Sequence, residues 1–220
     1  MNKLSEVTNL TTSAVDRKTG KLIYTEERKQ ADRPDGPGVW RFVYKNLAGE
    51  TIVRRIVNFE HSALKPAFRL DDLRNGYAEG AEIEGDKIKV FTGGSLNDPF
   101  EEKLLDVPEP AIIDAGFNFF VEQNWDRLMN GEVLPFNFVA PSQLDYVKLR
   151  VYRSGTTTHK GRPVVELNMD IDNFFLRLFV EAIHLKYDEE TKLLVVYNGI
   201  SNIYDDNGKS HKVRMEFNYQ

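Results

Sequence analysis

Through most of this chain apolar and polar residues alternate one for one, and the alternation is interrupted at short intervals by Gly, Asn, Asp or Pro. In VVELNMDID, Val165, Leu167, Met169 and Ile171 fall on one face, and Glu166, Asn168, Asp170 and Asp172 on the other. YVKLRVY sets Val147, Leu149 and Val151 against Lys148 and Arg150. Near the C-terminus Val213, Met215, Phe217 and Tyr219 alternate with Lys212, Arg214, Glu216 and Asn218. Successive side chains of a strand leave by opposite faces, so this period of two means strands with one buried face.

The interruptions say how the strands connect. SAVDRKTGKLIYTEERKQ reads as two strands around RKTGK, and VWRFVYKNLAGETIVRRIVNF as two around NLAGE. Residues 77–83 and 87–92 flank EGD. IHLKYDEETKLLVVYNG and SNIYDDNGKSHKVRMEFNY each read as a further hairpin, because Gly, Asn and Asp supply the backbone angles of tight turns. RSGTTTHKGRP reads as a loop between YVKLRVY and VVELNMDID. If those two strands pair, Lys148 and Arg150 meet Glu166 and Asp170 across the solvated face.

One stretch departs from the pattern. In DAGFNFFVEQNWDRLMNG, Phe117, Val121, Trp125 and Leu128 recur at helical spacing, with Phe120 and Met129 widening the stripe. Asp114 is placed to cap its start and Gly131 to end it. Glu122, Gln123 and Asp126 point away. Asn118 and Asn124 lie in or beside the apolar stripe, and Phe119 on the polar side, so the helix is expected to touch protein on more than one face. A lone amphipathic helix among antiparallel strands buries its stripe on a sheet.

The expected fold is therefore mainly β. It is a strongly curved antiparallel sheet, or incomplete barrel, of about ten strands wrapped around one amphipathic helix over residues 114–130. The apolar segment DNFFLRLFVE is compatible with a short second helix near 172–181 or with a buried strand. LDVPEPAII, residues 105–113, reads as a hinge-like connector. No long polar linker divides the chain, so residues 1–220 are expected to form a single domain.

Composition narrows the function. Net charge is −5, with the charges mixed along the 220 residues and no basic block, which argues against nucleic acid as a partner. No apolar run approaches membrane-spanning length, so no transmembrane segment is expected. The absence of cysteine excludes disulfides, thiolate metal sites and Cys nucleophiles. His61, His159, His184 and His211 fall in separate elements without metal-ligand spacing, and no GxSxG or phosphate-binding glycine motif occurs. Neither cofactor nor metal is expected. DDNG at 205–208 lacks the spaced ligands of a calcium loop and reads as a turn. The acid row Glu166, Asp170 and Asp172 is the one hydrolase candidate, against its reading as a solvated strand face.

Three segments, SAVDRKTGKLIYTEERKQ, FNFFVEQNWDRLMNGE and LLVVYNGISNIYDDNGKSHKVRMEFNY, resemble a group of bacterial, often exported, proteins of unassigned function. In architecture the chain resembles the lipoprotein-carrier type, in which an antiparallel half-barrel wraps a helix and can hold acyl chains. The resemblance implies a binding protein for a lipid or other apolar molecule. Its location would be periplasmic or envelope-associated if a signal peptide was removed, and cytoplasmic otherwise. The candidate ligand-binding residues are Phe117, Asn118, Phe120, Val121, Asn124, Trp125 and Leu128. Two alternatives stand beside it: a structural or interaction module with a fully packed core, and a hydrolase with a dispersed site.

Overall fold

The computed structural model describes residues 9–31, 38–94, 99–178, 180–205 and 207–219. Its first eight strands are β1 (Asn9–Asp16), β2 (Leu22–Ala31), β3 (Val39–Lys45), β4 (Thr51–Asn58), β5 (Ala67–Asp72), β6 (Ala78–Glu84), β7 (Lys87–Gly93) and β8 (Glu101–Leu105). After the short β9 (Ala111–Ile112) come two helices, α1 (Gly116–Gln123) and α2 (Trp125–Met129). The remaining strands are β10 (Leu134–Ala140), β11 (Asp145–His159), β12 (Arg162–Ile171), β13 (Ile183–Asp188), β14 (Leu194–Tyr204) and β15 (Ser210–Tyr219).

All 15 strands belong to one sheet, ordered β8-β7-β6-β5-β4-β3-β2-β1-β15-β14-β13-β12-β11-β10-β9. Neighbours are antiparallel except β9 and β10, which run parallel. The chain thus meanders outward from β1 to β8, crosses through β9 and the helices, and meanders back from β10 to β15. Pairing of β1 with β15, from Leu10 opposite Tyr219 to Asp16 opposite Val213, joins the halves at the sheet's middle. β8 and β9 remain as its two edges, so the curl does not close.

Alternation explains why the sheet curls. Each strand has one apolar face, and a flat sheet of this width would leave that face in water. Strand twist and register breaks bend it inward, including those at Ala14/Val15 in β1, Lys186/Tyr187 in β13 and Ile200/Tyr204 in β14. The interior holds two apolar clusters. The first is built on β1–β7 around Tyr24, Trp40, Phe42, Tyr44, Val57 and Val90. The second joins the helices to β10–β14 through Phe117, Phe120, Val121, Trp125, Leu128, Phe136 and Leu167.

The helical segment is less regular than its spacing suggests. It breaks at Asn124, whose φ of −108° and ψ of 17° leave helical geometry. The Asn124 amide donates to Phe120 O at 2.9 Å, and its Oδ1 accepts from Arg127 at 3.0 Å. That short polar side chain serves as a local cap, which is why an amide stands in an apolar stripe. Asp114 does not cap the helix. Its φ is 43°, the N-cap position is Ala115, and no side chain bonds there. Phe119 faces the first cluster, 6.0 Å from Trp40 and 5.2 Å from Phe59 between ring centroids. Asn118 accepts the Tyr187 hydroxyl at 3.0 Å. The helix therefore touches both halves of the sheet, and the residues outside its stripe make the second contact.

Several expectations are corrected. Among the described residues there are 15 strands, not about ten, because β5, β8, β9 and β10 carry weak or short alternation. LVVYNGISNIY is a single strand, β14, shared by the two expected hairpins with β13 and β15, and RSGTTT continues β11 through a register break between Arg153 and Gly155. Residues 105–113 are pinned rather than hinged. Asn137 donates to Pro108 O at 2.7 Å, Lys65 pairs with Glu109 at 2.5 Å, and Ile113 N donates to Leu64 O at 3.0 Å. Among the described residues near 172–181 there is no α-helix and no strand. A single 3-10 turn at Leu176–Leu178 follows Phe174 and Phe175, which are exposed by 66% and 73%.

Gly116 fixes where the helix begins. A Cβ there would lie 2.2 Å from Leu64 O and 2.7 Å from Leu64 C, both backbone atoms that cannot swing aside. Gly116→Ala is expected to destabilise the fold by about 1–3 kcal/mol, the usual range for overpacking. Urea unfolding at equilibrium measures it, and a change within error of zero would show that the 63–64 segment yields without cost.

Candidate functional site: an internal cavity with unlike walls

Between the two clusters lies a cavity of about 380 Å³. Its walls differ in chemistry. On the β10–β13 side the lining is apolar, formed by Phe138, Leu149, Met169, Ile183 and Leu185, with Phe117 from α1, while β14 adds Leu194, Tyr197 and Ser201. On the β2–β4 side Tyr24, Glu26, Arg28, Tyr44 and Arg55 stand among Trp40 and Phe42, and Asp114 reaches the same wall from the helix start. Ile200 and Asn202 on β14 also line the space and are exposed, so the cavity opens beside that strand.

Strand register assembles the polar wall. Glu26 is opposite Tyr44, Arg28 opposite Phe42, and Phe42 opposite Arg55. The Arg55 guanidinium donates to Asp114 Oδ1 at 2.9 Å and lies 3.9 Å above the Phe42 ring. Arg28 lies 4.2 Å above the Trp40 ring. A guanidinium is weakly hydrated and stacks on aromatic faces, so it tolerates such a site better than an ammonium would. Desolvation opposes the charge on Arg55, but Asp114, Tyr44 and Glu26 outweigh it and hold its pKa above the ordinary arginine value. Arg28 is shifted the other way, because burial dominates. Burial also raises the Glu26 carboxyl, against the lowering effect of Arg55 and of a hydrogen bond with Tyr44. On the same wall the Tyr24 hydroxyl shares a 2.7 Å hydrogen bond with Ser201. Among the described residues, Trp40 Nε1, Arg55 Nε and Asp114 Oδ2 are buried here without a hydrogen-bond partner.

Of the residues singled out from sequence, Phe117 and Asn118 line this cavity. Phe120, Val121, Trp125 and Leu128 pack in the second cluster instead, with Phe120 5.3 Å from Phe136 and Trp125 6.2 Å from Tyr187. Asn124 is occupied with its own helix ends. The acid row is dispersed in ion pairs. Asp170 pairs with Arg150 at 2.7 Å, as the strand alternation suggests, whereas Glu166 pairs with Lys186 at 2.9 Å. His184 bonds Asn168 at 2.7 Å. In DDNG the Asp205 side chain accepts from the backbone N–H groups of Asn207 and Lys209. Among the described residues no three His, Asp or Glu side chains are placed to hold a metal ion, and no helix is long and apolar enough to cross a membrane.

The polar wall itself was missed from sequence. A signal for part of it exists in TIVRRIVN, where Arg55 occupies the face that Val53 and Val57 bury. An arginine flanked at i±2 by buried valines must be paired or stacked inside. In TEERKQ both faces are polar, so alternation could not choose Glu26 and Arg28 over Glu27 and Lys29.

These features define a class: an open, curled antiparallel sheet around a broken helix, enclosing an apolar cavity with a charged wall. A crystal structure of a beta-barrel-like protein of domain of unknown function DUF1849 from Brucella abortus is similar in fold. Its TM-score is 0.55 at 9% sequence identity, covering 97% of this chain and 96% of that one. No protein-family model matches the chain, and no curated protein matches it.

Glu26 gives the site a pH signature. Because its pKa is raised in the folded state, the protein loses stability as pH rises from the ordinary glutamate value through the folded one. Glu26→Gln removes that loss while keeping the shape. The unfolding free energy of the variant minus that of the wild type should increase from about pH 4 to about pH 8, measured by urea titration. A difference flat in pH would mean that Glu26 is ionised with its ordinary affinity for protons.

Proposed function

We propose that this protein binds an apolar or amphipathic small molecule in the cavity between the two halves of its sheet, and performs no chemistry on it. The observation that supports this most is the space of about 380 Å³ bounded on one side by aliphatic and aromatic side chains and open at Ile200 and Asn202. Small-molecule sites span roughly 300–1,000 Å³ and combine apolar walls with a few convergent polar groups. Burial of an acyl chain contributes about 0.8 kcal/mol per methylene, so a short chain filling this space would bind appreciably. A lipid or a similar tailed molecule fits that description. We place the protein in the bacterial envelope if a signal peptide is removed from it, following the resemblance of its sequence to exported bacterial proteins.

Leu149 provides the test. It lines the apolar wall but is only half-buried, so Leu149→Trp adds volume to the cavity with limited strain on the core. Wild-type protein should bind the neutral dye N-phenyl-naphthylamine with a blue-shifted, enhanced fluorescence, and Leu149→Trp should weaken binding by about 10-fold, equivalent to ~1.4 kcal/mol. Thermal unfolding confirms that the variant is folded. No dye binding by the wild type, or equal binding by both, would remove the cavity as the site.

A further inference from the structure

We propose that Asn118 recognises the molecule held in the cavity, its side-chain amide donating to the carbonyl oxygen of an acyl ester whose chain lies against β10–β13. This rests on the reading of the cavity as a ligand site and names the group that the ligand presents there.

Asn118 is the polar residue of α1 that packing explains only in part. Its chain neighbours Phe117 and Phe119 are 8% and 2% exposed, whereas Asn118 is half-buried and lines the cavity. Its open surface therefore faces the cavity. Its Oδ1 accepts the hydroxyl of the fully buried Tyr187 at 3.0 Å. A side-chain amide is planar, with its oxygen and its NH2 group on opposite sides, so this bond fixes which way the group is turned. Oδ1 is held toward β13, and Nδ2 keeps two N–H donors. Among the described residues Nδ2 has no acceptor. Asn124, the other amide of the stripe, is bonded at both ends, to Phe120 O and to Arg127.

An amide in apolar surroundings costs free energy unless its donors are met. The β10–β13 wall offers no oxygen, because its lining side chains are hydrocarbon and one thioether. On β14 the hydroxyls of Tyr197 and Ser201 are bonded to Ile200 O and to Tyr24. The missing acceptor is therefore one that a ligand brings. Beside an aliphatic wall that group must accept without adding a donor or a charge of its own, and a carbonyl does so. An ester carries its carbonyl at the head of a long chain, so the oxygen meets Nδ2 while the chain covers Leu149, Met169 and Leu185.

Displacement of N-phenyl-naphthylamine from the whole chain tests this with methyl decanoate and methyl decyl ether, which have chains of equal length and differ only in the carbonyl oxygen. The ester should displace the dye from the wild type at concentrations about 5-fold below those needed with the ether, the effect of one hydrogen bond. Asn118→Leu combined with Tyr187→Phe removes both partners of the 3.0 Å bond together, so that no buried hydroxyl is orphaned, and should bring ester and ether level. Should the double variant fail to fold, Asn118→Asp decides the matter: at neutral pH it keeps an acceptor for Tyr187, lacks the donors and should also abolish the preference. Equal displacement by ester and ether from the wild type, preference for the ether, or an ester preference that survives in the folded variant overturns the role of Asn118 and leaves the cavity as a ligand site. Displacement by neither overturns both readings.

Discussion

The ion pair between Arg55 and Asp114 sits where the curled sheet, the helix start and the cavity meet. Arg55 comes from the middle of β4, between two buried valines, and Asp114 lies two residues before α1. Taking both charges out of water costs several kcal/mol per ion, so the pair persists only with good geometry and further support. That support is visible. The guanidinium is stacked on Phe42, Asp114 is held in a left-handed conformation, and the chain beside it is fixed by the Ile113 bond to Leu64 O and by the close approach of Gly116. The pair holds the first turn of α1 against the first cluster, so Phe119 can reach Trp40 and Phe59 while Phe117 and Phe120 reach Phe136.

A helix held between two halves in this way does not fill the space between them. The two clusters pack against opposite sides of it, and a gap remains where β2–β4 face β12–β14. Polar residues on one side of that gap prevent it from collapsing into a single dry core, because closing it would press guanidinium groups against leucine and methionine. The same charges that anchor the helix therefore also keep the cavity open. Fold and candidate site depend on one set of residues, a common arrangement where a buried polar network is retained at a cost in stability.

Much of the sheet was legible in the sequence, because one buried face per strand writes itself as alternation. The hairpins at 17–21, 46–50 and 84–86 are found where their turn residues predict, and the Arg150–Asp170 pair follows from the strand faces alone. Strands as short as β9, or covered on both faces like β6, where Ala78, Glu79, Gly80 and Ala81 are all buried, leave no such pattern. The helix was legible in position but not in its break, since an asparagine that caps its own helix looks in sequence like a polar intruder. The cavity was least legible. Its apolar wall is made of residues indistinguishable from core, and the charges of β2 lie in a stretch polar on both faces. Only the pairing of β2, β3 and β4 shows which of them turn inward.

The most direct test is a crystal structure of the protein grown with laurate. The account predicts continuous density for the alkyl chain between Leu149, Met169 and Leu185. A cavity occupied by water alone at saturating laurate, or laurate bound only on the outer face of the sheet, would contradict it.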